Sequence, residues 1–146
     1  MAFNKLETEL DREALKSQAA ELHARGYNCA QSVLCALAPV LGIDEDAAFT
    51  LAEGFGAGMG GMTETCGAIS GAVMALGHAT SNGRTNPTSK GATYKLSHEL
   101  CAGFMDKNGT TVCRELKGVG SPEGPRRSCP GCIDDAIDLT VDIINR

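Results

Sequence analysis

The stretch Cys66-Gly67-Ala68-Ile69-Ser70-Gly71-Ala72-Val73-Met74-Ala75-Leu76-Gly77-His78-Ala79 decides the fold. It is apolar without strand-like alternation, and Gly67, Gly71 and Ala75 fall on one stripe of a helix over residues 66–79. Side chains this small let another backbone come very close, and Thr63 or Thr65 is placed to cap the helix. Just before it, Gly54-Phe55-Gly56-Ala57-Gly58-Met59-Gly60-Gly61 has too much backbone freedom to hold a helix by propensity, so its contacts must fix it.

Working outward, residues 6–25 carry apolar side chains at Leu6, Leu10, Ala14, Leu15, Ala19 and Leu22, a helical spacing that Gly26 stops. Residues 29–41 are apolar nearly all round, which predicts a buried helix capped by Asn28. Asp44 caps a third helix, with Glu45 and Asp46 in its first turn. Beyond the polar loop 81–90 come a helix over 92–107, a break at Gly109, a short helix over 111–116 and a Pro/Gly/charge loop over 118–127. The last helix follows Cys129, with Ile133, Ala136, Ile137, Val141 and Ile144 in register. The fold class is therefore all-α: a compact single-domain helical bundle with a glycine-rich loop, residues 1–146 forming one domain.

A chain of 146 residues buries roughly two thirds of its unfolded surface without staples. Hydrophobic residues make up 42% but aromatics only 4%, so the core must be built from small and aliphatic side chains that pack closely between helices. A net charge of -5 without a basic run excludes a nucleic-acid partner, which needs clustered Lys and Arg. No apolar run approaches the ~20 residues that span a bilayer, and the first residues lack the basic and apolar regions of a secretory signal. The expectation is a soluble cytoplasmic protein without a membrane partner. In a reducing compartment, seven cysteines read as ligands, redox thiols or core residues rather than as a disulfide framework.

Several motifs bear on chemistry. Gly56 to Gly61 matches G-x-G-x-x-G, but a helix rather than a strand precedes it, so it reads as a turn pressed against neighbouring helices. Cys129-Pro130-Gly131-Cys132 opens a helix, whose N-terminus favours a thiolate, and it lacks the βαβ setting of thioredoxin-like sites. A dithiol on another fold remains open there, and c-type haem is excluded because Ile133 stands where the axial His belongs. Cys66, at a helix start beside Gly67 and Ala68, reads equally as an activated thiolate or as a small apolar residue. Cys66, Cys129 and Cys132 are thus the redox-thiol candidates. Cys35 and Cys101 sit at core positions. His23, His78 and His98 read as surface histidines, the methionines as gap-fillers, and Asp134-Asp135 as first-turn acids that favour the helix dipole.

Gly26-Tyr27-Asn28-Cys29-Ala30-Gln31, the glycine run from Gly54, Cys66-Gly67-Ala68-Ile69-Ser70-Gly71-Ala72, Cys113-Arg114-Glu115-Leu116-Lys117-Gly118 and Cys129-Pro130 together resemble one family. It comprises small redox-active proteins of bacteria and archaea named for a Cys, Gly-Cys-Ala-x-x-Gly, Cys, Cys pattern. Here Thr65 precedes the second cysteine and Gly67 follows it. The pattern is also similar to the helical iron-sulfur domain of split-Soret cytochromes, which bind a 2Fe-2S cluster. The resemblance implies Cys29, Cys66, Cys113 and Cys129 as cofactor and metal ligands, for an iron-sulfur cluster of the 2Fe-2S or another kind, or for another thiolate-bound metal. It implies electron transfer, a homodimer and a redox partner protein. The alternatives are a thiol-disulfide protein without metal and a metal-binding interaction module. In each case the cysteines at helix starts are expected to converge near the glycine-rich loop.

Overall fold

The computed structural model describes residues 9–146, so the expected start of the first helix at Leu6 lies outside the described residues. Seven α-helices make up the described architecture: α1 (Arg12–Ala24), α2 (Cys29–Leu41), α3 (Glu45–Ala52), α4 (Gly67–Thr80), α5 (Lys90–Asn108), α6 (Cys113–Lys117) and α7 (Cys129–Asn145). Their starts follow local side-chain chemistry. Asp11 caps α1, Asp44 caps α3, and Ser128 accepts a hydrogen bond from the Gly131 N–H of α7 at 3.1 Å.

The α2 cap is reciprocal. The Asn28 side chain accepts from the Gln31 N–H at 2.9 Å, and the Gln31 side chain accepts from the Asn28 N–H at 3.0 Å. The same two side chains reach across to the end of α3, donating to the carbonyls of Glu53 (2.9 Å) and Phe49 (3.1 Å). Asn28→Ala removes both the cap and the tie to Glu53. It is expected to cost about 1–2 kcal/mol, read as a lowered denaturation midpoint with an unchanged denaturant slope.

Helices α2 and α4 form the centre of the bundle, and their closeness comes from glycine. A Cβ at Gly71 would lie 2.6 Å from the Ala30 carbonyl oxygen, and one at Gly67 would lie 2.9 Å from the Phe55 carbonyl oxygen and 3.2 Å from the Ala30 nitrogen. The first turn of α4 is therefore pressed against the first turn of α2, which carries Cys29. Around this contact Leu37, Ile69, Leu76, Leu100, Phe104, Ile133 and Ile137 are fully buried. Helix α7 closes the core. It is tied to α1 by Arg12 and Lys16 on Asp138 (2.8 and 3.1 Å), by Arg12 on Asp142, and by Asn145, whose amide pairs with the Leu10 backbone.

Four boundaries differ from the sequence reading. Helix α1 begins at Arg12 rather than near Leu6, because Asp11 is extended and caps it, which leaves Leu10 ahead of the helix. Cys66 is the N-cap of α4 with non-helical backbone, and neither Thr63 nor Thr65 caps it. The cause is a two-residue antiparallel bridge between Thr65 and Val112, in which Cys66 N–H donates to the Thr111 carbonyl (2.8 Å) and Cys113 N–H to that of Glu64 (2.9 Å). The same bridge holds Val112 extended, so α6 begins at Cys113 rather than at 111. Helix α5 begins two residues before the expected 92, after Ser89.

The glycine-rich segment is a single 3-10 turn, Glu53–Phe55, followed by a left-handed turn. Ala57, Gly58, Met59 and Gly60 have φ of 51°, 55°, 65° and 85°, and Met62 has 63°. For the alanine and the methionines this conformation costs roughly 1–2 kcal/mol each, so the neighbouring contacts must hold it. Gly56 packs on the Asn28 side chain and Gly58 on Cys113, whereas a Cβ at Gly60 or Gly61 would meet nothing within 4 Å. The turn is pressed against its neighbours only along its first half.

Candidate functional site: a five-thiol cavity

Each device just described delivers one cysteine. The capping box places Cys29 at the first position of α2, the glycine stripe lays Cys66 beside it, the two-residue bridge adds Cys113, and the Ser128 cap orients the first turn of α7 with Cys129 and Cys132. The five thiols, drawn from four separate segments, line one cavity of about 170 Å³, together with His23, Asn28, Ala57, Gly67, Leu116, Lys117 and Arg127. Cys35 and Cys101 stay outside it, and burial pushes both thiols up from their ordinary value.

Within the cavity the sulfurs pair across elements. Cys66 interacts with Cys132, and Cys29 with Cys129, whose sulfur also meets the Lys117 ammonium. The hydrogen bond from Cys132 is the main reason the Cys66 thiol is lowered to about 7. Desolvation opposes it, while the N–H groups of Ala68 and Ile69 at the start of α4 and the Lys117 charge assist. Cys132, the proton-bearing partner, is raised by that bond and by burial. Burial first, then the neighbouring Cys129 and Cys66 sulfurs, raise Cys29. Cys113 is raised chiefly by burial. Lys117 is held protonated above all by Cys129.

A pH titration of the metal-free protein follows from this. Ultraviolet thiolate absorbance is expected to rise by about one thiolate per chain with a midpoint near 7, and that step is expected to vanish in Cys66→Ser. Wild-type thiols titrating only together, well into the alkaline range, would contradict it.

Some of this was not read from the sequence. His23, read as a surface histidine, lines the cavity from the last turn of α1, half-buried. Lys117, which the sequence offers only within the family pattern, stands four residues after Cys113 on the same helix face, the signal that marks it. Asp135, read as a first-turn acid serving the dipole, is buried and clamps Arg127 through two 3.1 Å bonds, with Asn108 donating to it at 3.1 Å. That clamp lays Arg127 over Gly131, where a Cβ would collide with the guanidinium, and so fixes the residues leading into Cys129. Cys132 completes the site as its fifth thiol.

All five donors are sulfur, backbone N–H groups point at one of them, and a lysine offsets their charge, which is the chemistry that suits iron-sulfur and other thiolate-bound centres. Among the described residues, no three His, Cys, Asp or Glu side chains stand as a ready-made site for a metal ion. No helix among them is long and apolar enough to cross a membrane.

The fold and site define an all-α bundle that gathers cysteines at helix starts around one cavity. The family model described as "Putative redox-active protein (C_GCAxxG_C_C)" matches residues 27–143, and the chain belongs to that family. No curated protein and no solved structure matches the chain.

Proposed function

We propose that the cavity is a redox centre that holds an iron-sulfur cluster or another thiolate-bound metal and serves electron transfer. The observation that carries this reading is the number of thiols: a dithiol needs two, whereas five line one cavity. Cys29, Cys66, Cys113 and Cys129 are the proposed ligands, with Cys132 available beside Cys66. When bound, such a group supplies a one-electron couple. The chain's own part is to hold the sulfurs, to exclude water by burying Cys66 and Cys113, and to place the Lys117 charge where thiolates accumulate. The Ala68 and Ile69 N–H groups aimed at Cys66 favour its deprotonated, ligand-competent form.

Anaerobic reconstitution with iron and sulfide tests the assignment. Visible absorbance is expected in wild type, Cys35→Ser and Cys101→Ser, and is expected to be bleached in Cys29→Ser, Cys66→Ser and Cys113→Ser. Equal absorbance in all six proteins would remove these ligands from consideration.

A second reading, a thiol-disulfide protein without metal, is favoured by one specific arrangement. Cys66 and Cys132 line the same cavity from the starts of α4 and α7, and Cys132 is the main influence that lowers the Cys66 thiol, the form that attacks a disulfide.

A further inference from the structure

The wall of the thiol cavity is one-sided in charge. Lys117 and Arg127 stand on it, His23 joins them from α1, and no Asp or Glu side chain among the described residues lines it. The chain as a whole is acidic, with 18 Asp and Glu against 13 Lys and Arg, so a wall with two cations and no carboxylate is the reverse of what its composition supplies. Lys117 forms no ion pair with a carboxylate among the described residues. Arg127 meets one, Asp135, but with a single edge: Nε and Nη2 donate to its two oxygens at 3.1 Å each, while Nη1 has no partner among the described residues. Asp135 is 7% exposed and does not line the cavity, so it orients the guanidinium without adding its charge to the wall. The Arg127 side chain is 41% exposed, which leaves its free edge reachable. The N-termini of α2, α4 and α7 reach the same cavity through Cys29, Cys66 and Cys129 and add their positive ends to the two side chains.

We infer that the thiol cavity selects anions: the small molecule it admits to its sulfurs carries negative charge, as a carboxylate or a sulfur anion does, and Lys117 and Arg127 are the residues that select it. This rests on the cavity being the working site proposed above, and it holds whether or not a metal fills that site. A volume of about 170 Å³ is several waters' worth at ~30 Å³ each, so what enters is a small molecule. Fixed cations on a concave wall, flanked by protein rather than by water, raise the local concentration of an anion and lower that of a cation. A cavity of sulfurs alone would do the opposite, because each thiolate repels an incoming anion. The two side chains therefore decide the sign of the charge that the centre accepts.

Iodoacetate and iodoacetamide are the probes, since both form the same S–C bond, both expel iodide, and they differ in charge. The ratio of their rates at one sulfur cancels that sulfur's exposure and nucleophilicity. On reduced, metal-free protein, mapped peptide by peptide, the iodoacetate-to-iodoacetamide ratio at Cys129 is expected to exceed that at Cys101 by ~5-fold or more; Cys101 is half-buried like Cys129 and lies outside the cavity. Lys117→Met is expected to remove at least half of that excess and Lys117→Arg to keep it, a pattern that follows the charge and not the packing. Equal ratios at Cys129 and Cys101 in wild type overturn the anion selection, as does a Lys117→Met ratio equal to that of wild type. The wild-type comparison needs no variant to fold. Failure of anaerobic reconstitution, by contrast, removes the metal centre and leaves the ratio at Cys129 as it is.

Discussion

Replacing Gly71 with Leu is expected to destabilise the protein by about 3 kcal/mol or more and to scatter the thiol centre at the same time. Its Cβ alone would stand 2.6 Å from the Ala30 carbonyl oxygen, with the Ala30 carbonyl carbon and Cα both at 3.3 Å. These are backbone atoms on the first turn of α2, and a rotamer change cannot move them aside. Helix α4 must therefore retreat from α2, carrying Cys66 away from Cys29. Thermal or denaturant unfolding checks the stability loss, and the ultraviolet thiolate step near pH 7 checks the centre. A Gly71→Leu protein with wild-type values of both would show that the helices are not in register at this contact. Gly77→Ala, whose Cβ meets nothing within 4 Å inside α4, is the control expected to keep the thiolate step and to raise stability by up to about 1 kcal/mol through helix propensity.

The second large effect is expected at Gly58, where conformation and space act together. Its φ of +55° disfavours any side chain, and a Cβ there would lie 2.5 Å from the Cys113 Cβ and 2.8 Å from the Glu64 carbonyl oxygen. That carbonyl accepts the Cys113 N–H in the bridge that places Cys113. Gly58→Val is expected to cost roughly 2–4 kcal/mol, strain and overpacking combined, and to expel Cys113 from the cavity. Faster alkylation of Cys113, read peptide by peptide, reports the second effect. Gly60, at φ +85°, is also positive but has open space around it, so Gly60→Ala isolates the strain component.

The helices were legible because each carries its own signal: the periodicity of α7, the Asn28 cap, the stop at Gly26. The glycine stripe announced a close backbone approach, and Gly67 and Gly71 make it. The two-residue bridge was not legible, because Thr65 and Val112 are 47 positions apart and pair through backbone groups that any residues possess. That bridge moved the starts of α4 and α6. The left-handed turn was likewise hidden, since Ala57 and Met59 are side chains that disfavour it and only the packing of Gly56 and Gly58 imposes it. Cys29, Cys66, Cys113 and Cys129 were nominated from helix starts and from the family pattern, and the cavity brings them together. Cys132 was nominated as the partner of Cys129, its neighbour in sequence. Its contact with Cys66 depends on how α7 crosses α4, which one-dimensional spacing does not encode. Lys117 and His23 were missed for a related reason. Their relevance comes from what lies opposite them, Cys129 in one case and the thiol cavity in the other.

Five thiols line one cavity, and the proposal is that they hold a thiolate-bound redox group. Iron, zinc and acid-labile sulfide per chain, measured on anaerobically purified wild-type protein together with its visible absorbance, decide whether they do. Metal in stoichiometric amount, with sulfide and visible bands where the metal is iron, all lost in Cys66→Ser, is the predicted result. Protein that carries no metal as purified, takes none up on anaerobic reconstitution and leaves all seven thiols open to titration after unfolding would contradict it.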